Sequence, residues 1–407
     1  MKRFLAALLA ALTVFTLTGC GKTENPAEPV TPGQAEEPAT PTEPELTPEE
    51  IAEQERLAAE KAREERLQGL LDSMTLEEKV GQLFFVRCPE TNAVEDISTY
   101  HLGGYLLFGR DYKDGDSWLT WEQFIQKIES YQDAAAIPLF IGSDEEGGTV
   151  TRASRNPNLF SEPFKSPQKL NYIGGIEEIL RDTDTRSREL RALGINVNFA
   201  PVCDVSTDPK DFIYDRTLGQ DANMTADYVR LVVPAMTEGG TLPVLKHFPG
   251  YGSATVDDHN GTSIVEKSLS ELEACDLIPF QSIIAAEGSV PFVMVSHLSY
   301  PSVTGSDTPA DLSSSIVTDI LRDKLEYQNV IITDSHSMAS ITDHYSAGDA
   351  AVKALEAGCD MILMPSDLQA AFDAVKAAVA DGTLSQARID ESVLRILTVK
   401  AEYGIIS

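Results

Sequence analysis

Between Leu83 and Tyr403 the chain alternates eight times between a short apolar run and a longer stretch with helical spacing. The apolar runs are Leu83–Val86, Tyr105–Phe108, Leu139–Ile141, Val197–Val202, Leu242–Leu245, Phe292–Val295, Val330–Thr333 and Met361–Met364. Helical patterns fall at Trp121–Ala135, Ile176–Leu193, Met224–Thr237, Leu269–Ala286, Ser314–Leu325, Ala347–Ala357, Leu368–Ala380 and Ile389–Tyr403. Continuous apolar runs separated by helices are the mark of βαβ units, whose strands are buried on both faces of a parallel sheet. Eight such units in one domain predict an α/β (β/α)8 barrel of the TIM type. A doubly wound open sheet is the structural rival, but no Gly-x-Gly-x-x-Gly follows the first strand, which disfavours a dinucleotide fold.

Polar residues stand where such a barrel places its chemistry, at the C-terminal ends of the strands. Arg110, Asp144, Asp204, Lys246, His247, His297 and Asp334 each close or follow an apolar run. The densest stretch is Lys246 to Asn260, a cation and an imidazole followed by a glycine- and proline-containing loop. Within it Asp257 and His259 lie two residues apart. A carboxylate that orients an imidazole makes a proton-transfer device, although the same residues also serve as loop polar groups capping a helix. His297 and His336 fall near the mouth without an assigned role, and His101 and His344 read as surface or packing residues.

The net charge of -32 excludes a nucleic-acid partner, whose phosphates require basic surface. Five cysteines show no metal-type spacing and no disulfide framework. Cys88, Cys203, Cys275 and Cys359 lie in or beside apolar runs and read as buried free thiols. No metal or organic cofactor is expected.

The N-terminus carries an address. Met1-Lys2-Arg3 is basic, Phe4 to Thr16 is apolar, and Leu17-Thr18-Gly19-Cys20 closes the segment, the layout of a secretory signal. The last four residues resemble a bacterial lipoprotein lipobox, which implies lipid on Cys20 and a tether outside the cytoplasmic membrane. An uncleaved transmembrane anchor is the rival, but the apolar run is shorter than the roughly 20 residues that span a bilayer. The expected organisation is signal peptide 1–19, lipidated cysteine and linker 20–48, charged helical stalk 49–68 and catalytic barrel 69–407. The linker holds prolines at 26, 29, 32, 38, 41, 44 and 48, so it is expected to stay extended and unpacked.

Several motifs in order across the domain resemble glycoside hydrolase family 3, and within it the single-domain bacterial β-N-acetylhexosaminidases. They are Thr75-Leu76-Glu77-Glu78-Lys79-Val80-Gly81-Gln82, Asp144-Glu145-Glu146-Gly147-Gly148, Asn198-Phe199-Ala200-Pro201-Val202-Cys203-Asp204-Val205, Arg216-Thr217-Leu218-Gly219, Lys246-His247-Phe248-Pro249-Gly250 and Ile332-Thr333-Asp334-Ser335. The resemblance implies a retaining mechanism with Asp334 as nucleophile. It makes His259 the acid and then the base, supported by Asp257. It carries over Asp144, Arg152, Arg216, Lys246 and His247 as groups holding the hydroxyls of a terminal N-acetylglucosamine. The implied substrate is a murein fragment or related glycan, and a monomer is expected.

The chain departs from the family pattern at Thr149, Tyr251, Asp258 and Ser335-His336. These departures leave subsite shape, and so the aglycone, open. Rival readings on the same fold are a β-glucosidase, an N-acetylglucosaminide phosphorylase and a non-catalytic glycan-binding lipoprotein. The Asp257–His259 pair, and the absence of a further domain after Tyr403, favour the hexosaminidase.

Overall fold

The computed structural model describes residues 47–252, 263–286 and 290–406. Among them eight parallel strands close into a barrel in chain order: β1 (Phe84–Arg87), β2 (Gly104–Leu107), β3 (Phe140–Ser143), β4 (Val197–Asn198), β5 (Leu242–Phe248), β6 (Phe292–Val295), β7 (Val330–Ser335) and β8 (Met361–Leu363). Closure is made where Phe84 stands opposite Ile362. All eight apolar runs of the sequence are strands, each with its helices outside.

The barrel is filled by rings. Phe85 stacks parallel to Phe140 at 6.2 Å and meets Phe199 edge-on at 5.2 Å, while Phe140 meets Phe292 edge-on at 5.1 Å. Gly142 makes this possible, because a Cβ there would lie 2.6 Å from the Phe199 ring and 2.8 Å from that of Phe85. A side chain at 142 would force the aromatic layer apart.

The helical patterns hold with local revisions. The expected helix at 269–286 is two, Leu269–Ala274 and Ile278–Ile284. Pro279 has no N–H to continue the first and sits instead in the opening turn of the second. The helix expected from Ile176 begins at Pro167, breaks its geometry at Gly174-Gly175 and ends at Ala192. Residues Ser315–Lys324 run as a π-helix. A helix at Ala93–Tyr100 and a small hairpin, Lys113–Asp114 with Ser117–Trp118, carry too little periodicity to be read in advance.

The chain divides into residues 1–55 and a compact unit of 56–407. The charged helix spans Pro48–Ser73, so the expected boundary at 68/69 falls inside it. Within the compact unit its Leu67 and Leu71 are buried and its Arg63 pairs with Glu402 at 3.1 Å. Two apolar residues four apart are enough to dock the last turns of a helix whose other faces are charged. Cys20 and the rest of the N-terminal segment lie outside the described residues. Among the described residues no helix is long and apolar enough to cross a membrane. Cys88, Cys203 and Cys359 are buried free thiols, and Cys275 is a half-buried one.

Candidate active site

The C-terminal ends of the strands open into a cleft of about 830 Å³. It is lined by all five residues expected to hold a sugar, Asp144, Arg152, Arg216, Lys246 and His247, and by Asp334. Asp257 and His259 lie outside the described residues.

One side of the cleft is a lattice of charge. The turn after β3 sends its three acids in alternate directions. Asp144 enters the cleft and accepts from Lys246 Nζ at 3.0 Å. Glu145 turns away and accepts the backbone N–H groups of Arg152 and Ala153 at 2.9 and 2.8 Å, which ties down the next turn. Glu146 returns to the cleft, taking Lys246 Nζ at 2.6 Å and both Nε and Nη2 of Arg216 at 2.9 and 2.8 Å. Gly147 allows this reversal: its φ is +93°, and a Cβ would sit 2.1 Å from the Lys165 carbonyl. Arg186 clamps the turn from behind, donating Nη1 to the carbonyls of Glu145 and Glu146.

Burial alone would protonate Glu146, but the fields of Arg216 and Lys246 hold its carboxyl well below the usual range. Burial likewise works against charge on Lys246, and Glu146 and Asp144 reverse that, pushing its pKa above the ordinary value. Asp204, fully buried after β4, accepts the Tyr251 N–H at 2.7 Å and lies 2.7 Å from His247 Nδ1. That contact orients the His247 ring, whose Nε2 then stands 3.3 Å from Arg216 Nη2. Tyr251 packs edge-on against His247 at 5.3 Å. Arg152 lies over the Phe108 ring at 5.4 Å and donates Nη1 to the Thr151 carbonyl at 3.1 Å.

The opposite side carries Asp334, near the end of β7, with Oδ1 accepting the Ser335 N–H at 2.7 Å. Burial pushes its pKa up, but the fields of His297 and His247, the Ser335 amide and Lys246 outweigh that and leave the carboxyl below its ordinary value. An ionised carboxylate in a cleft lined with hydroxyl-binding groups is equipped to attack an electron-poor carbon.

Not every strand-end residue joins the site. Arg110 pairs with Glu90 at 2.7 Å and does not line the cleft. His297 and His336 are buried beneath it on either side of Asp311. His101 is half-buried and His344 exposed. Sequence reading gives no role to Glu146, Asp204's hold on His247, or Asp311. Glu146 was within reach, since it shares its motif with Asp144.

The glycosyl hydrolase family 3 N-terminal domain model matches residues 75–399. The chain belongs to glycoside hydrolase family 3. It is 32% identical to beta-hexosaminidase LpqI of Mycobacterium tuberculosis over 335 residues, covering 79% of this chain and 82% of that protein. It is also 32% identical over 333 residues to beta-hexosaminidase A of Pseudoalteromonas piscicida, covering 76% of this chain. There the match spans only 54% of the longer relative. Among solved structures, a glycoside hydrolase family 3 beta-N-acetylglucosaminidase from Paenibacillus sp. superposes with a TM-score of 0.75 at 33% identity, covering 82% of this chain and 63% of that one. In this family 3 chain, then, the described barrel mouth brings together all the sugar-binding candidates and the nucleophile candidate.

Proposed function

We propose that the chain is a retaining exo-β-N-acetylglucosaminidase that removes a terminal β-linked N-acetylglucosamine from murein fragments or related glycans. The observation that carries this reading is Asp334: an ionised carboxylate facing Lys246, Asp144, Arg216 and His247 across one cleft. The names of the relatives support the sugar. In the first step an Asp334 oxygen bonds to the anomeric carbon as the bond to the glycosidic oxygen breaks, and His259 gives that oxygen its proton. In the second, water attacks the same carbon, His259 takes the proton, and the Asp334 carboxylate leaves. Asp257 fixes the His259 tautomer and supports the imidazolium that donates in the first step and is regenerated in the second. The placement of Asp257 and His259 in sequence, two apart and shortly after Lys246 and His247, supports this role.

The reading is tested by hydrolysis of an aryl β-N-acetylglucosaminide beside an aryl β-glucoside, with sugar 1-phosphate assayed in phosphate buffer. Preference for the N-acetyl sugar and release of free sugar are expected. Preference for glucoside makes it a β-glucosidase, sugar phosphate makes it a phosphorylase, and no turnover of either makes it a binding protein. A mechanism-based fluorosugar is expected to label the peptide containing Asp334; a label elsewhere removes Asp334 from its role. We also propose that Cys20 carries the lipid that anchors the chain outside the cytoplasmic membrane, on the strength of the Leu17-Thr18-Gly19-Cys20 run. Cys20→Ala is then expected to move the protein to the soluble fraction, and unchanged membrane association refutes the anchor.

A further inference from the structure

A buried cluster that the reaction as written does not use is joined to the Asp334 strand end through the Ser335 carbonyl. Asp311 sits in the short turn Ala310–Leu312 that follows β6, fully buried. Its Oδ1 is 3.0 Å from His297 Nδ1 and its Oδ2 is 2.9 Å from His336 Nε2. The other nitrogen of His297, Nε2, is 2.9 Å from the carbonyl oxygen of Ser335, the residue after Asp334. Both imidazoles are at most 1% exposed, and their ring centres are 5.6 Å apart.

The proton count on His297 follows from its neighbours. A peptide carbonyl only accepts, so Nε2 must carry hydrogen to face it at that distance. Nδ1 faces the Asp311 carboxylate at 3.0 Å as an ion-pair contact, and a bare nitrogen lone pair against an anionic oxygen at that distance is repulsive, so Nδ1 carries hydrogen as well. Asp311 itself is no donor: burial pushes its pKa up, but His297 and His336 bring it below the ordinary value. An imidazole with acceptors at both nitrogens is an imidazolium. His336 differs, because burial outweighs Asp311 and lowers its pKa, which leaves a neutral ring donating through Nε2.

We propose that His297, held as an imidazolium between Asp311 and the Ser335 carbonyl, is a positioning residue that keeps Asp334 ionised and fixes the strand end carrying it, with His336 bracing the far oxygen of Asp311. The device answers a real difficulty. Asp334 shares its cleft with Asp144, Glu146 and Asp215, whose negative fields favour its protonated and non-nucleophilic form. Lys246, Arg216 and Arg152 line the same cleft, but Lys246 and Arg216 are already committed to carboxylates of the turn after β3. His247 reaches Asp334 from β5 and is oriented by Asp204. Facing Asp311 itself are the two histidines, the Cys359 thiol on its carbonyl and the Tyr345 phenol. Among the charges that act on Asp334, His297 lowers its pKa most.

The proposal rests on Asp334 being the nucleophile. It is tested on the full-length protein by the pH dependence of kcat/KM with an activated aryl β-N-acetylglucosaminide, whose leaving group needs little protonation. In His297→Gln the amide keeps a donor for the Ser335 carbonyl but has no charge. Its acid limb is expected to move up by about one pH unit, so the loss at acid pH exceeds that at pH 8 by a factor that grows as the pH falls and approaches about tenfold below both limbs. Asp311→Asn, which removes the anion that keeps His297 charged, is expected to move the limb the same way. His336→Leu leaves the Asp311–His297 pair intact and is expected to leave the limb in place. A limb that stays put in His297→Gln, or moves as far in His336→Leu, overturns the proposal even where the fluorosugar labels Asp334. A label elsewhere overturns the nucleophile assignment instead. Should His297→Gln not fold, the 15N shifts of the His297 ring in the wild type at pH 7 decide: two protonated nitrogens support the imidazolium and a single one refutes it.

Discussion

Lys246 and Lys400 are both buried, one at each end of the barrel, and they are stabilised in opposite ways. Lys246 lies in β5 at the mouth, 2% exposed, with Glu146 at 2.6 Å and Asp144 at 3.0 Å. Lys400 lies at the N-terminal end, where its Nζ donates to the Gln82 side-chain carbonyl at 2.7 Å and stands 4.9 Å from the Phe140 ring centre. It is fully buried and pairs with no carboxylate among the described residues. The carboxylates hold Lys246 above the ordinary lysine pKa, whereas burial pushes Lys400 down to about 7. Burial depth is therefore not what fixes the charge of a lysine. Its partners do that: two carboxylates meet Lys246 and, among the described residues, none meets Lys400.

The largest effect expected from breaking this contrast is at the mouth. Lys246→Met removes a cation that meets two acids, so Glu146 and Asp144 repel each other and the sugar hydroxyls lose a charged donor. We expect kcat/KM to fall roughly 100- to 1,000-fold, the scale of losing one preorganised charged donor in an active site. Steady-state kinetics on the aryl N-acetylglucosaminide decide it. A loss below tenfold means that Lys246 serves packing, as Lys400 does.

A smaller loss is expected one step back from the sugar. Asp204 touches no cleft volume itself but holds His247 and the Tyr251 amide. Asp204→Asn puts an amide where two donors converge, which turns the imidazole or strands one N–H. A misplacement of that kind is expected to cost roughly 10- to 100-fold in kcat/KM. Wild-type kinetics in this variant show that the Lys246–Glu146–Arg216 lattice positions His247 without help.

The same contrast explains what was legible in the sequence. The barrel was, because each strand is a continuous apolar run and the helices between carry a 3.6-residue period. The cleft side of the mouth was legible through its motifs: Asp144, Arg216, Lys246 and His247 all line one cleft. Asp311 was not, since it lies in a three-residue turn without periodicity and acts on residues 14 and 25 positions away. Lys400 was equally hidden. A lysine in the last turn of a helix ordinarily faces solvent and the helix dipole, and only the packing of the C-terminal helix under Gln82 and Phe140 reveals otherwise. Proton balance at both sites depends on contacts across the fold, which spacing along the chain does not encode.

The smallest effect concerns Lys400 and is one of stability rather than turnover. Below about pH 7 Lys400 is charged in the folded and unfolded chain alike, and the full penalty of burying that charge is present. Between about 7 and its ordinary value of 10.5 the unfolded chain keeps the proton and the folded chain releases it. Stability then rises with pH through that window, by about 1.4 kcal/mol per unit of difference between the two pKa values. Lys400→Met carries no such penalty at any pH. It also leaves the Gln82 oxygen without its donor, a cost that does not vary with pH. The Tm of the variant minus that of the wild type is therefore expected to be most positive at pH 6 and to fall by several degrees toward pH 9.5, while kcat/KM at pH 7 stays within about twofold because the site is at the other end of the barrel. Thermal melts of both proteins across that range measure it. A Tm difference that does not change with pH means that Lys400 keeps its charge when buried, and the contrast between the two ends disappears.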